Sequence, residues 1–248
     1  KKKKKTYFDI ASCTKSFTAM TAALAGDKGW FDWETPVKQY LPTFGVADPE
    51  RSEQITVRDL LCHRTGLPRQ DFIDHLQNPN RDEVCESYRF LEATEPFRQV
   101  YQYSNQMYVY FGYVLEHITG RSYEQWLMED LAKRANLGIR VRSVPGCMEG
   151  LEHAKPYRTN GKKACRVEYS MCPSEAPCGS VRARAKDLVD WMRLMAAGGV
   201  LNGKRLVSEE QWTQLLRENI ETVFLYADAV RLAWMADVLQ EAEDAAYY

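Results

Sequence analysis

The sequence contains no long run of apolar residues. A helix that crosses a bilayer needs about 18 or more of them in succession, and no stretch of the 248 residues reaches this length. The residues that follow the basic start are also too polar and too few for the hydrophobic segment of a signal peptide. We therefore expect no membrane span and no signal peptide in this chain.

The sequence also lacks an excess of charge of either sign. Its 33 Lys and Arg residues against 34 Asp and Glu residues give a formal net charge of −1. Such a chain creates no overall field that would attract nucleic acid or an acidic membrane, so we expect no nucleic-acid partner. The run Lys1–Lys5 is the local exception. We interpret residues 1–7 as a disordered basic tail or tag, with a nucleic-acid arm as the alternative, and residues 8–248 as a single domain.

Paired-cysteine motifs are absent as well. The seven cysteines are an odd number and none of them forms Cys-x-x-Cys, which favours a reducing compartment. Three of them, Cys165, Cys172 and Cys178, form a loose cluster, but the nearest histidine in sequence is His153 and the spacing matches no common zinc pattern. We expect thiols that bind no metal, and a function that needs no cofactor.

Helical patterns dominate what the sequence does contain. Apolar stripes, capping boxes and terminal glycines predict helices over seven segments. These are 12–25, 56–66, 105–120, 122–138, 181–199, 208–219 and 229–246. Strand patterns are weaker and occur at 6–11, at 139–144 and in a hairpin at 199–207 around Asn202-Gly203. The section 146–177 has no periodicity and reads as a long loop of the kind that often lines a substrate site.

A serine and a lysine stand three positions apart at the start of the first predicted helix, in the stretch IASCTKSFTAM. At this spacing both side chains lie on one helical face, within hydrogen-bond reach. An amine that burial or nearby positive potential keeps partly neutral can take the proton of the hydroxyl, and a helix N-terminus favours the resulting alkoxide. Ser12 and Lys15 are therefore candidates for a nucleophile and its base.

A second candidate motif is the Tyr-x-Asn sequence at Tyr103 and Asn105, which occurs once in the chain. A phenol can share a proton with a serine and pass it to a leaving group, while an amide two residues later can orient a substrate. The alternative for Tyr103 is a packing role, since Tyr101 and Tyr108 stand nearby. Neither motif is specific alone, because chance produces each of them in roughly one of two sequences of this length.

Together the two motifs resemble those of the serine β-lactamase and penicillin-binding protein superfamily. The most similar branch is the class C β-lactamase-like one, which includes esterases and D-aminopeptidases. The stretch ITVRDLLCHRTGLP is similar to its conserved helix and His-x-Ser/Thr-Gly-Leu turn, and PCGSVRARAKDLVDWMRLMAAGG to its glycine-serine turn and helix. The resemblance runs from about Phe8 to Leu216. It implies an α/β (α+β) fold of the β-lactamase/transpeptidase type, here a mostly helical body with an incomplete antiparallel sheet.

The resemblance also implies roles for four residues. Ser12 would be the acyl-accepting nucleophile, with its backbone N–H as half of an oxyanion hole, and Lys15 would be its proton partner. Tyr103 would be the general base that later protonates the leaving group, and Asn105 would bind the amide or ester side chain of the substrate. The implied function is a serine hydrolase that forms an acyl-enzyme on a small ester, a β-lactam or a D-amino-acid amide. The alternative is a catalytically weak homologue that serves as a binding or scaffold protein.

The sequence departs from the family pattern in its terminal regions. The family's third motif, Lys-Thr-Gly or His-x-Gly on a late strand, does not occur after Ser180, and only residues 1–11 precede Ser12. Either this chain omits terminal regions of a longer protein, or a homologue has lost them. We expect the first, since a sheet without those strands would expose an apolar face. Under the second explanation the missing oxyanion donor would cost about 10²–10³ in rate.

Two further residues are alternatives for the catalytic roles. His63 could act as the base of a serine-histidine pair, but a histidine in a turn beside Arg64 is interpreted as structural. Cys13 could be the nucleophile, because a thiol near a helix N-terminus is activated. We interpret it instead as a small residue that faces away from the pocket.

Overall fold

A computed structural model describes residues 5–70, 80–159, 161, 163–167, 173–220 and 230–231 of the chain. Residues 1–4 of the basic run, Cys172 and most of the helix predicted over 229–246 lie outside the described residues. The start of that helix prediction is wrong, because Val230–Arg231 forms a short strand.

Helices make up most of the described regular structure. They are α1 (Thr14–Asp27), α2 (Val37–Tyr40), α3 (Pro49–Gln54), α4 (Val57–Leu61), α5 (Arg81–Ser87), α6 (Asn105–Thr119), α7 (Tyr123–Gln125), α8 (Ala176–Gly179), α9 (Ala185–Ala196) and α10 (Glu209–Leu216). Short 3-10 helices cover Ala11–Cys13, Tyr88–Phe90 and Pro173–Glu175, and a π-helix covers Trp126–Ala132. The helix predicted over 122–138 therefore continues from α7 as a π-helix and ends earlier, at Ala132.

The strands are short and pair in antiparallel fashion. They are β1 (Phe8–Asp9), β2 (Arg140–Val141), β3 (Tyr157–Thr159), β4 (Ala164–Arg166), β5 (Val181–Ala183), β6 (Val200–Leu201), β7 (Lys204–Arg205), β8 (Glu218–Ile220) and β9 (Val230–Arg231). The largest described sheet has the order β1-β5-β2, with Phe8 opposite Ala183 and Arg140 opposite Arg182. The predicted hairpin at 199–207 is confirmed. The strands predicted at 6–11 and 139–144 are confirmed in position but are shorter, and Ala11 belongs to a 3-10 helix.

Two predictions in this part of the chain are partly wrong. The helix predicted from Val181 begins only at Ala185, because the residues before it pair on both sides as the central strand β5. The section 146–177 is not one long loop, since it contains the β3-β4 hairpin, a 3-10 helix and the start of α8. The first error arises because the pairing of β5 depends on partners that are distant in sequence.

Helix α1 runs through the middle of the core. Every residue from Thr14 to Ala25 is buried, as expected of a helix that other elements cover on all sides. The ring of Phe17 stacks on that of Trp191 in α9, with centroids 4.0 Å apart, and the Trp191 indole N–H donates to Ser16 Oγ at 3.1 Å. This packing holds α1 rigidly and so positions the residues at its N-terminal end.

The folded part of the chain begins before Phe8. Thr6 and Tyr7 are buried, and the Tyr7 amide donates to the carbonyl oxygen of Glu152 at 3.0 Å. The Tyr7 hydroxyl donates to the carbonyl oxygen of Gly138 at 2.8 Å. The assignment of residues 6 and 7 to a disordered tail is therefore wrong, whereas the single-domain organisation stays a prediction.

A buried carboxylate joins the turn after α4 to the segment before α6. Asp59 forms a capping box with Thr56, and its carboxylate accepts from Arg64 Nε at 2.5 Å and from an Arg98 terminal nitrogen at 2.6 Å. Burial alone would raise the pKa of Asp59, but the hydrogen bond from Arg98 and the charge of Arg64 outweigh it and hold the pKa below its usual value. The two segments are thereby held side by side.

The structure addresses one of the predictions about the protein's environment, namely that the chain contains no membrane span. Among the residues that it describes, no helix combines the length and the apolar character that a bilayer crossing requires. The reducing compartment and the lack of a nucleic-acid partner stay predictions.

Candidate active site

Ser12 lies in the 3-10 turn that connects β1 to α1. The turn is bracketed by β5, because the Ile10 amide donates to the Val181 carbonyl oxygen at 3.1 Å and the Val181 amide donates to Thr14 Oγ1 at 3.0 Å. Ala11 adopts a left-handed backbone with φ 45°, which an alanine rarely does. This reversal places the half-buried Ser12 side chain at the N-terminal end of α1.

Lys15 is completely buried beneath Ser12. Its Nζ donates to Ser12 Oγ at 3.2 Å, to Asn105 Oδ1 at 2.7 Å and to the carbonyl oxygen of Cys178 at 2.9 Å. A lysine ammonium has three N–H donors, so this geometry uses all of them. All three acceptors are uncharged oxygen atoms.

Tyr103 completes the group from the start of a second helix. Its hydroxyl lies 2.7 Å from Ser12 Oγ and donates to Asn105 Oδ1 at 3.0 Å. Ser104 is the extended N-cap residue of α6, and Asn105 is the first residue of that helix. The extended backbone at Ser104 lets Tyr103 and Asn105 reach the same cluster. The structure thus brings together all four site residues that the sequence predicted.

The walls behind Lys15 are uncharged aromatic rings. Lys15 Nζ lies 4.8 Å from the ring centroid of Tyr103 and 5.2 Å from that of Tyr108. Burial raises the pKa of Tyr108 well above its ordinary value, and its hydroxyl donates to the Leu61 carbonyl oxygen at 2.8 Å. Burial, and after it the charge of Lys15, lowers the pKa of His63 well below its ordinary value. Both groups are therefore neutral at pH 7.

Sequence reasoning missed two parts of the cluster. The carbonyl oxygen of Cys178 holds Lys15, but every residue has such an oxygen, so no sequence signal could have identified it. His63 is the second part, since the sequence indicates only a structural residue of its turn, whereas the structure stacks its ring on that of Tyr103 with centroids 4.6 Å apart. The sequence signal for His63 is the His-x-Ser/Thr-Gly-Leu turn motif to which it belongs.

The other candidates lie outside the cluster. Cys13 is exposed, whereas the hydroxyl of Ser12 is bonded to Lys15 and Tyr103. The described residues contain no group of three or more His, Cys, Asp or Glu side chains that could hold a metal ion. Of the loose cysteine cluster, Cys165 is exposed and Cys178 is buried, and Cys172 is outside the described residues.

Comparison with solved structures defines the class of fold. The crystal structure of a class C beta lactamase from Rhodobacter sphaeroides superposes with a TM-score of 0.71 at 22% sequence identity, covering 92% of this chain and 61% of that chain. The expected β-lactamase/transpeptidase-like fold is confirmed. The Beta-lactamase family model matches residues 2–247, and the chain belongs to this family.

Two curated relatives carry the names of hydrolytic enzymes. The chain is 28% identical to Unguisins hydrolase ungD' of Aspergillus campestris, over 96% of this chain and 47% of the relative. It is 26% identical to Esterase/beta-lactamase LipL of Mycobacterium tuberculosis, over 84% of this chain and 55% of the relative. The chain thus spans about half the length of these relatives.

Proposed function

We propose that the chain carries the acylation machinery of a serine hydrolase that acts on a small ester, a β-lactam or a D-amino-acid amide. The observation that carries this proposal is the convergence of three side chains, with Tyr103 OH 2.7 Å and Lys15 Nζ 3.2 Å from Ser12 Oγ. Membership of a family with hydrolase-named relatives supports it. The names of those relatives also support esters and β-lactams as the substrate classes to try first.

The hydrogen bonds suggest the direction of the first proton transfer. Lys15 uses its N–H groups as donors to Ser12 and two other oxygens, so it does not accept the serine proton in this arrangement. Tyr103 accepts it instead in its phenolate form, after its own hydroxyl proton has left Asn105 Oδ1 for solvent. The ammonium of Lys15, whose Nζ lies 4.8 Å from the centroid of the Tyr103 ring, stabilises this form. Ser12 Oγ then forms a bond to the carbonyl carbon, and the carbonyl oxygen takes the negative charge.

Collapse of this intermediate releases the leaving group and completes the acyl-enzyme. Tyr103 returns the proton to the departing oxygen or nitrogen, and in the second half it takes a proton from the water that attacks the ester on Ser12. Asn105 Oδ1 is occupied by Lys15 and Tyr103, so the predicted contact with the substrate amide falls to its Nδ2 group. The scheme uses only side chains and backbone of the protein.

The backbone N–H of Ser12 is one donor for the oxyanion. The first hydrogen-bonded amide of the 3-10 turn is that of Cys13, which donates to the Ile10 carbonyl oxygen at 3.0 Å. The Ser12 amide precedes it at the positive end of α1, which suits a developing negative charge. The family's second donor belongs to the third motif, which does not occur in the sequence after Ser180.

Covalent labelling tests this function and separates it from a binding or scaffold role. The chain is treated with a fluorescent fluorophosphonate and, separately, with a fluorescent penicillin, and the labelled residue is identified by mass spectrometry. We expect label on Ser12 that disappears in Ser12→Ala and persists in Cys13→Ala. Label that moves to Cys13, or a wild-type chain that is not modified by either probe, would show that the proposal is wrong.

A further inference from the structure

His63 contacts three consecutive residues of the segment that carries the phenol. Its backbone carbonyl oxygen accepts from the Gln102 amide at 2.8 Å. Its ring Nδ1 accepts from the Ser104 amide at 3.1 Å. Between these two contacts, the imidazole stacks on the ring of Tyr103 with an interplanar angle of 30°. One residue therefore holds the backbone on both sides of Tyr103 and one face of its ring.

The hydrogen bond from Ser104 determines the tautomer of His63. Because Nδ1 accepts this bond, it carries no proton, and the proton of the neutral ring lies on Nε2. Burial and the charge of Lys15 keep the pKa of His63 well below its ordinary value, which maintains the neutral form. Neither ring nitrogen is able to take the proton of Ser12. The contribution of His63 is therefore exerted through Tyr103.

The second ring nitrogen of His63, Nε2, indicates that the imidazole does more than fill space in the core. His63 is completely buried, and its Nε2 has no hydrogen-bond partner among the described residues. A buried donor without a partner is unfavourable, and a phenylalanine ring would fill the same space without one. The feature that phenylalanine lacks is the acceptor Nδ1, which is the atom bonded to Ser104.

The backbone of His63 supports the same interpretation. Its φ is 56°, in the left-handed region that histidine and asparagine adopt more often than most other residues. This backbone conformation directs both the ring and the carbonyl oxygen of His63 toward the segment 102–104. Strained backbone of this kind persists where the surrounding contacts impose it, and here those contacts are with residues 102–104.

We propose that His63 is a positioning residue for Tyr103, which holds the phenol oxygen at Ser12 through the amide of Ser104 and the stacked ring. This inference rests on the function proposed above and deepens it. A displacement of a reacting group by about 1 Å costs up to roughly 100-fold in rate. The loss of the Nδ1 acceptor is therefore expected to slow acylation much more than a comparable loss of buried volume nearby.

Two substitutions at position 63 separate the acceptor from the ring. His63→Asn keeps an acceptor close to the position of Nδ1 and tolerates the left-handed backbone, whereas His63→Phe keeps a ring and loses the acceptor. The second-order rate constant for fluorophosphonate labelling of Ser12 is expected to fall about 10- to 100-fold in His63→Phe and less than about 5-fold in His63→Asn. Cys62→Ala is the matched control, since it removes buried volume from the same turn and leaves the three His63 contacts in place.

A double-mutant cycle tests whether the effect passes through the phenol. In a Tyr103→Phe background there is no hydroxyl to position, so His63→Phe is expected to lower the labelling rate by less than about 3-fold further. The inference would be overturned if His63→Phe lowered the labelling rate by the same factor in the Tyr103→Phe background as in the wild-type background. It would also be overturned if Ser12 were labelled as slowly in His63→Asn as in His63→Phe. The same holds if His63→Phe labels at the rate of Cys62→Ala while wild type labels normally. A wild-type chain that does not label would instead overturn the proposed function itself.

Discussion

The hydroxyl of Ser12 lies 2.7 Å from the phenol oxygen of Tyr103, although 91 positions of sequence separate the two residues. Each side chain projects from the N-terminal end of a different helix, α1 or α6. The short helix α8 packs against both of these helices, and the Thr18 hydroxyl of α1 donates to its Pro177 carbonyl oxygen at 2.6 Å. The distance between nucleophile and phenol therefore depends on how closely α8 fits between them.

The first prediction concerns Gly112, where α6 meets α8. A Cβ atom at this position would lie 2.4 Å from Cγ of Pro177, and the proline ring has little freedom to move away. Gly112→Ala should therefore overpack the contact, lower the free energy of unfolding by about 1–3 kcal/mol, and move the Cys178 carbonyl away from Lys15. Urea denaturation measures the loss of stability. The displacement of the Cys178 carbonyl is detected as slower fluorophosphonate labelling of Ser12.

Gly45→Ala serves as the control for this substitution. The nearest atom to a Cβ at Gly45 is Ser52 Oγ at 3.9 Å, an ordinary van der Waals contact. Its free energy of unfolding should change by less than about 0.5 kcal/mol. Equal stability of the two variants would show that α8 does not fit tightly against α6.

The second prediction concerns the donor role of Lys15. Lys15→Met preserves the length of the buried side chain but removes all three hydrogen bonds, to Ser12, Asn105 and the Cys178 carbonyl. Without the ammonium, a phenolate at Tyr103 loses its nearest positive charge, so the labelling rate should fall by about 10²–10⁴. The rate is measured with the fluorophosphonate probe, and circular dichroism checks that the helical content is unchanged.

Lys28→Met is the matched control for Lys15→Met. Lys28 lies immediately after α1, is partly exposed and pairs with Asp130. Surface pairs of this kind contribute about 0–1 kcal/mol, and the residue does not contact the cluster, so the labelling rate should be that of wild type. If Lys15→Met labels as fast as Lys28→Met, the mechanism proposed for Lys15 is incorrect.

The third prediction concerns Asp59 and acid. The pKa of the folded Asp59 lies below its usual value, so the unfolded chain binds this proton more readily than the folded protein does. Its contribution to the free energy of unfolding is therefore complete above about pH 4 and declines as the pH falls further. Urea denaturation between pH 7 and pH 3 should show this decline in wild type and a smaller one in Asp59→Asn.

At pH 7 the same substitution removes one partner of a buried ion-pair network. Asp59→Asn should lower the free energy of unfolding by about 1–3 kcal/mol, because it weakens the hydrogen bonds that Arg64 and the partly exposed Arg98 make to a buried carboxylate. Asp190→Asn, in a surface pair with Lys186, should lower it by about 0–1 kcal/mol. A loss of similar size in both variants would mean that Asp59 does not hold the two segments together.

Local patterns predicted a large part of the fold. The helical face that begins near Ser12, the capping boxes and the Asn202-Gly203 hairpin all depend on residues close in sequence. The composition of Val181–Ala183 predicts the start of a helix, and this prediction is wrong because pairing with β1 and β2 makes the segment a strand. Such pairing is a property of the folded chain and has no local signature.

The sequence by itself determined the spacing of Ser12 and Lys15, since a helix brings residues three positions apart onto one face whatever surrounds it. Through the resemblance it also indicated Tyr103 and Asn105. Only the tertiary structure decided that Lys15 is a donor to three oxygens, one of them the Cys178 carbonyl, and that His63 holds Tyr103 from behind. These contacts join segments far apart in the chain, and their distances are set by the packing of helices and turns that no local pattern records.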